Sequence, residues 1–441
     1  MVIGYGYQYK ESLSVGMLGL VDDTIGITEA GYKAQMMNAF MNIKTAEKGL
    51  QFGIKKCKSM LIGKNLENVL DSNLSVDSWT VEHRENKETG DTDLVETYSG
   101  QIEMGKCKEQ KYLGFILSSS GDNMVNIRAI RNKSIGVIRK IFTKLNNLKL
   151  QKYYFECGVI FMNVMLRSSI LYACETYFNL KETEVRQIER IEESFMRQLL
   201  NTTKGCPINQ IYLELGQIPA RFDIIKLRLL YLKYILNQEE NSQILKVFIL
   251  QIEKPTKFDW ASTCRNNLKL LDINLSFEDI KKMTLNKYNN IVKDKCRKSA
   301  YKYLMRKRGS KGSEIEYPNI EMAKYLLPNK YLTIDEQRQL FAVRNRMVDI
   351  PSNFSTKENN LSKCVCQQKE DMQHIYICEY LNTVKPEETF EKVFSRNLKQ
   401  QISVFERFEN NMKIREEYSN KNDHEIQHSD PPYSVLECVN G

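Results

Sequence analysis

Apolar positions change their spacing near Ser118. Before it, short apolar and β-branched runs stand between turn residues, as in strands; after Asn123 apolar residues recur every three or four positions, as in helices. Val15, Met17, Leu18, Leu20 and Val21 lead into Asp22-Asp23, and Ile25 and Ile27 lead out. This predicts two short strands joined by a tight turn with both carboxylates at its tip. Residues 34–50 predict a helix burying Met37, Phe40, Met41, Ala46 and Leu50, followed by a basic turn and strand over 49–63. Residues 74–81 alternate as a strand and Glu88-Thr89-Gly90-Asp91 supplies a turn, so the acidic stretch between Ile62 and Tyr112 reads as a β-hairpin elaboration. Residues 111–117 read as a strand with Gly114 inside it, where another backbone approaches closely.

The helical part opens with a stripe of Ile127, Ile130, Ser134, Val137, Ile138, Ile141, Leu145 and Leu148. A second stripe takes Val185, Ile188, Ile191, Phe195 and Leu199, with Glu182 and Glu184 at the end where the helix dipole favours them. Gly205-Cys206-Pro207 breaks the chain, Pro219 opens a helix through Ile235, and Thr333-Ile334-Asp335-Glu336 is a capping box. The basic run 306–312 reads as a loop, and the polar stretch beyond 410, with Pro431-Pro432, as a disordered tail. The expected class is α+β, divided into mixed α/β over 1–118, helices over 119–200, a helical C-terminal region over 201–410 and the tail over 411–441.

A length of 441 residues allows two or three domains, and 42% hydrophobic residues with a mean hydropathy of -0.46 fit a globular chain rather than a disordered one. The N-terminus lacks the pattern of a secretory signal, so the 11 cysteines read as reduced thiols in an intracellular setting, nucleus or cytoplasm. The apolar run 159–173 is interrupted by Asn163, Arg167, Ser168 and Ser169, which argues against a membrane span. Net charge of +9 suits a polyanionic partner.

That charge is unevenly placed. Arg128, Arg131, Lys133, Arg139, Lys140 and Lys144 share one helical stretch that has no Asp or Glu from 123 to 155. It is either a solvated flank or a surface for sequence-blind phosphate contact. Asp22 and Asp23 are either ordinary turn acids or hard-oxygen ligands for magnesium shared with substrate phosphates. Cys364, Cys366, His374 and Cys378 put four soft ligands within fifteen residues, enough for tetrahedral zinc. Against this stand the single residue between the first two cysteines and the missing glycine after them, so zinc and no metal both stay open.

The order of Asp-Asp hairpin, helix, Lys-bearing turn with strand, and Lys111-Tyr112-Leu113-Gly114 strand resembles the second half of a reverse transcriptase palm followed by its thumb. The likeness is to enzymes of non-LTR (LINE-type) retrotransposons. Leu171-Tyr172-Ala173-Cys174-Glu175 and the 188–197 stretch are similar to their thumb and post-thumb helices, and the Cys/His cluster is similar to one many of them carry after the polymerase. The resemblance implies a partial palm, an antiparallel sheet with a helix, then a mostly helical thumb. It implies an RNA-directed DNA polymerase using two-metal nucleotidyl transfer with Mg, an RNA template and a DNA primer. In that scheme Asp22 is a direct metal ligand and Asp23 its neighbour, although Leu20 and Val21 replace the family's usual aromatic residue and Ala. Lys56 is placed to protonate the departing pyrophosphate or to neutralise its charge, or else is one of three solvated lysines. Leu113 and Gly114 correspond to the turn that grips the primer, with a packing role equally open. The family's other metal-binding Asp and its fingers lie upstream of the pair, where little chain precedes Asp22. The expectation is therefore a fragment with little or no synthesis alone, partnered by an upstream fingers–palm portion. The alternative is a non-catalytic nucleic-acid-binding remnant using the basic helices.

Overall fold

The computed structural model describes residues 7–9, 13–15, 17–20, 23–28, 31–46, 57–60, 62, 75–85, 92–103, 105–147, 151–177, 180–257, 259–306, 315, 317–348, 363–364 and 366–428. Its strands are β1 (Tyr7–Tyr9), β2 (Leu13–Val15), β3 (Met17–Leu20), β4 (Asp23–Gly26), β5 (Lys58–Ser59), β6 (Ser75–Glu85), β7 (Thr92–Glu103), β8 (Gly105–Lys106), β9 (Glu109–Tyr112) and β10 (Phe115–Ser118). Helices are α1 (Gly31–Ala46), α2 (Asn123–Asn147), α3 (Tyr154–Phe161), α4 (Ser168–Ile170), α5 (Glu182–Leu199), α6 (Ile208–Glu214) and α7 (Ala220–Leu236). There follow α8 (Gln243–Glu253), α9 (Trp260–Leu270), α10 (Phe277–Lys282), α11 (Leu285–Arg306), α12 (Ile334–Arg344), α13 (Met372–Ile377) and α14 (Leu398–His428). The class is α+β, and mostly helical.

Among the described residues the strands pair only in twos. β3 and β4 are antiparallel as expected, but Asp23 opens β4 opposite Leu20 and so lies in the strand rather than at the tip of the turn, while residues 21–22 lie outside the described residues. β6 and β7 form the long hairpin expected of the acidic stretch, with a register shift at Ser78/Trp79. β5 and β8 pair in parallel. The strand expected over 111–117 is instead a hairpin. Leu113 (φ +48°) and Gly114 (φ +86°) are both left-handed, and two such residues make the tight turn whose twist suits a hairpin, so β9 folds back on β10.

The chain forms two compact units. The first comprises 1–135, 169–188 and 223–296. A core lies between α7, α8, α9, α10 and the first half of α11, where Leu229, Leu232, Phe248, Cys264, Leu268, Ile280, Tyr288 and Val292 are buried together. Lys233 is buried in the same region, and its ammonium donates to the carbonyls of Ile280 (2.8 Å) and Lys281 (2.9 Å) and to Asn237 Oδ1 (3.1 Å). It therefore adds a donor at the end of α10, to Ile280 O, which also accepts from Met283 N, and to Lys281 O. Elsewhere in this unit Asn126 joins β10 to α2, since its Oδ1 accepts from Ile116 N at 3.1 Å while its amide donates to the Tyr177 hydroxyl.

The second unit comprises 136–168, 189–222 and 297–441. Between α3 and α4 the helix widens into a π-helical turn over Met162–Arg167, and Arg167 is buried where its Nε donates to Glu192 Oε1 at 2.7 Å. The other Glu192 oxygen accepts from the Tyr212 hydroxyl (3.0 Å) and Ala220 N (3.1 Å). Glu189 receives both Arg221 Nε (2.6 Å) and Nη2 (2.8 Å). Glu214 is fully buried with Arg344 Nε at 3.2 Å and the Tyr317 hydroxyl at 2.7 Å. Burial works against the Arg344 charge, and Glu214 outweighs it, holding the guanidinium's pKa above its ordinary value.

Two further expectations shift. On α1 Phe40 is exposed while Met37 is buried, and residues 47–50 of the expected helix lie outside the described residues. The stretch expected as a tail from 411 begins instead as helix. α14 continues through it to His428, held by Asn411, which is buried, and by Arg415, whose Nη2 donates to Glu370 Oε2 at 3.0 Å. Residues 429–441 lie outside the described residues.

Candidate metal centre and basic helix face

Cys364, Cys366, His374 and Cys378 come together in the second unit, with their ligand atoms all within 4.8 Å of one another. The turn after Cys364 makes this close grouping. Cys364 N donates to Gln368 O at 2.9 Å and Gln367 N to Cys364 O at 2.7 Å, while Lys363 and Lys369 form an antiparallel bridge. Gln367 takes φ +67°, the left-handed conformation usually left to glycine. The sequence offers no glycine there, and the backbone makes the same turn with glutamine at a cost of about 1 kcal/mol.

The other two ligands come from α13. The Asp371 carboxylate accepts from His374 N at 2.8 Å and caps the helix start, and Cys378 caps its end. A four-residue separation thus turns His374 and Cys378 toward the same point. Cys366 Sγ lies 3.1 Å from His374 Nε2, and Cys364 Sγ lies 3.7 Å from Cys378 Sγ. The sulfur separation is too long for a disulfide, and every described cysteine is a free thiol. It matches the edge of about 3.8 Å between two thiolates bound at about 2.3 Å to a tetrahedral ion. Three cysteines and one histidine are a soft donor set, so the cluster could hold a metal such as zinc.

Burial pushes the Cys364 thiol up to about 12, and the Cys378 thiol adds to the rise. A bound cation supplies the charge that keeps such thiols deprotonated.

The supports behind this centre were missed in the sequence reading. Arg407 Nε donates to Tyr376 O (3.0 Å), Asn411 Nδ2 to Ile375 O (2.8 Å), and Arg415 pairs with Glu370. These three residues stand four apart on α14, so a polar stripe at helical spacing was the available signal.

The six cations predicted on the basic stretch all lie on α2, and Arg128, Arg131, Lys133, Arg139, Lys140 and Lys144 are all exposed. At 3.6 residues per turn the three arginines fall along one flank and the three lysines along the other, with Asn132, Gly136 and Thr143 between them. Leu113 and Gly114 form the tip of the β9–β10 hairpin in the first unit. The Tyr172 hydroxyl donates to Leu113 O, and the Tyr172 ring would lie 3.3 Å from a Cβ at position 114. The close neighbour at Gly114 is thus a side chain, not a backbone.

Asp22 and Lys56 lie outside the described residues, as does the side chain of Asp23. Among the described residues no other group of metal-ligating side chains converges, and no helix is long and apolar enough to cross a membrane. In comparisons with protein-family models, curated proteins and solved structures, nothing matches this chain.

Proposed function

We propose that this chain is the palm-to-C-terminal portion of a reverse transcriptase of the non-LTR retrotransposon kind, an RNA-directed DNA polymerase, whose described part holds an RNA–DNA duplex by its phosphates. One observation carries the proposal. Six exposed cations stand on α2, a helix without acidic residues, directly after the hairpin β9–β10. Phosphate contact of this kind is independent of base sequence, as a polymerase that copies any template requires. The order β3–β4, α1, β5, β9–β10, α2 agrees with the family order on which the resemblance rests.

In this reading Asp22 and Asp23 bind Mg together with the nucleotide phosphates, and Lys56 meets the leaving pyrophosphate. When bound, magnesium activates the primer hydroxyl and stabilises the leaving oxygens. The Cys/His cluster holds zinc as a structural ion that ties α13 to the turn at Cys364.

The test is fluorescence anisotropy with a labelled RNA–DNA hybrid at several salt concentrations. Reversing Arg128, Arg131, Arg139 and Lys140 to Glu is expected to weaken binding at least tenfold and to flatten the salt dependence by about one slope unit per lost contact. Unchanged binding refutes the proposal. Primer extension with magnesium separates the two forms of the reading. Synthesis abolished by Asp22→Asn marks a polymerase. Because the chain is expected to synthesise little or nothing alone, the assay is repeated with an added upstream fingers–palm portion. Tight binding with no synthesis even then marks the non-catalytic binder, a reading favoured by the fact that α2 needs no carboxylate to hold phosphate.

A further inference from the structure

The three sulfurs of the metal centre differ in how far solvent reaches them. Cys364 is 2% exposed and Cys378 4%, whereas Cys366 is half-buried. The two buried sulfurs lie 3.7 Å apart, and Cys366 Sγ lies 3.1 Å from His374 Nε2. All four ligand atoms fall within 4.8 Å of one another. The cluster thus has one sulfur that a small solute can reach and two that stand close enough to be joined. A disulfide needs about 2.05 Å, so an approach of about 1.7 Å between the turn at Cys364 and the end of α13 closes the bond. Zinc keeps its thiolates ionised and nucleophilic but is not itself oxidised.

We propose that the centre is an oxidative modification site, at which hydrogen peroxide converts Cys364 and Cys378 to a reversible disulfide and expels the metal, with Cys366 as the point of entry. The inference goes beyond nucleic-acid binding and rests on the reading that the cluster holds zinc.

The Cys366 thiolate attacks one peroxide oxygen, the O–O bond breaks, hydroxide leaves and a sulfenic acid forms. The Cys378 thiolate displaces a second hydroxide from that sulfur, giving a Cys366–Cys378 disulfide. The Cys364 thiolate then attacks Cys378 Sγ, and Cys366 leaves as a thiolate with His374 beside it as a hydrogen-bond partner. In sum, two thiolates lose two electrons and one peroxide becomes two hydroxides. Zinc departs as the unchanged dication, because two of its four ligands are gone. The exchange ends on Cys364 and Cys378 because their sulfurs touch and are shielded from further attack.

The experiment uses the full chain loaded with zinc, and hydrogen peroxide as the probe. A coloured chelator follows zinc release, and peptide mass spectrometry locates the disulfide. Release of about one equivalent of zinc per chain is expected together with a Cys364–Cys378 link, both reversed by a thiol reductant and added zinc. Cys366→Ser is expected to slow formation of the link at least about fivefold. Cys378→Ser is expected to stop it and leave sulfenic or sulfinic acids. A wild-type link mapped to another pair, sulfinic acids formed without a link, or zinc retained after the link forms overturns the proposal. So does a Cys366→Ser chain that links as fast as the wild type. Zinc content measured before oxidation keeps the two readings apart. A chain that takes up no zinc strikes the metal reading and the expulsion with it, whereas bound zinc with no link strikes this proposal alone.

Discussion

Gly114 sits where two demands meet. Its φ of +86° is one that side chains rarely accept, and the Tyr172 ring would stand 3.3 Å from a Cβ there. Gly114→Ala is therefore expected to cost about 1–2 kcal/mol, measured by urea unfolding, with Tyr172→Ala relieving part of the loss by removing the ring. Asp259 offers a test by pH. Its Oδ1 accepts from Ser262 N at 2.6 Å and its Oδ2 from Thr256 Oγ1 at 3.1 Å. Burial raises its pKa, but these hydrogen bonds outweigh burial and hold the carboxyl below 3.8. A depressed carboxylate pKa contributes stability above the unfolded value, and the contribution is lost as pH falls through the folded one. Unfolding midpoints at pH 5 and pH 3 should thus differ more in the wild type than in Asp259→Ser, which keeps a cap without a charge. At this scale the sequence marked the four Cys/His residues that converge. It gave no sign of Gln367, because nothing in glutamine announces a left-handed turn.

Helices were the most legible elements. The box at Thr333 forms as read, with Thr333 Oγ1 accepting from Glu336 N and Glu336 returning to Thr333 N, and α7 begins just after Pro219. Apolar stripes on α2 and α5 point inward, since a period of three to four fits the geometry of one buried face. What the stripe on α5 could not reveal is that Glu189 and Glu192 share the interior with it. Their partners Arg221 and Arg167 are distant in sequence, and charge pairing at long range leaves no periodic trace. Arg344 shows the same on α12. Arg344→Met should destabilise by about 3–5 kcal/mol, because Glu214 stays buried with its guanidinium gone. Arg344→Met combined with Glu214→Leu should recover much of that loss, and chemical denaturation of the three variants measures it. The strand over 111–117 was misread because its apolar alternation continues across the turn, and only the positive φ values reveal the reversal.

On the scale of the whole molecule, the centre at Cys364 and the core around Leu229 belong to different units, so loss of metal should act locally. If the chain is first loaded with zinc, stripping the ion with a chelator is expected to raise hydrogen exchange over 363–381 and around Arg407, Asn411 and Arg415. Exchange over 229–296 should stay as it was, and mass spectrometry of exchanged peptides resolves the two regions. The α+β class was readable from the change of spacing near Ser118. How the chain divides between units was not, because it depends on which distant segments meet. Neither unit is a continuous stretch of sequence. The first uses three segments and closes only with the one ending at Cys296, while the second already owns 136–168 and 189–222. A ribosome releasing this polypeptide would therefore have to deliver everything through Cys296 before the first unit has all its parts, with pieces of the second already made. Truncated clones that stop before that point, however sensible their boundaries look on paper, should emerge as partners for chaperones rather than as folded proteins.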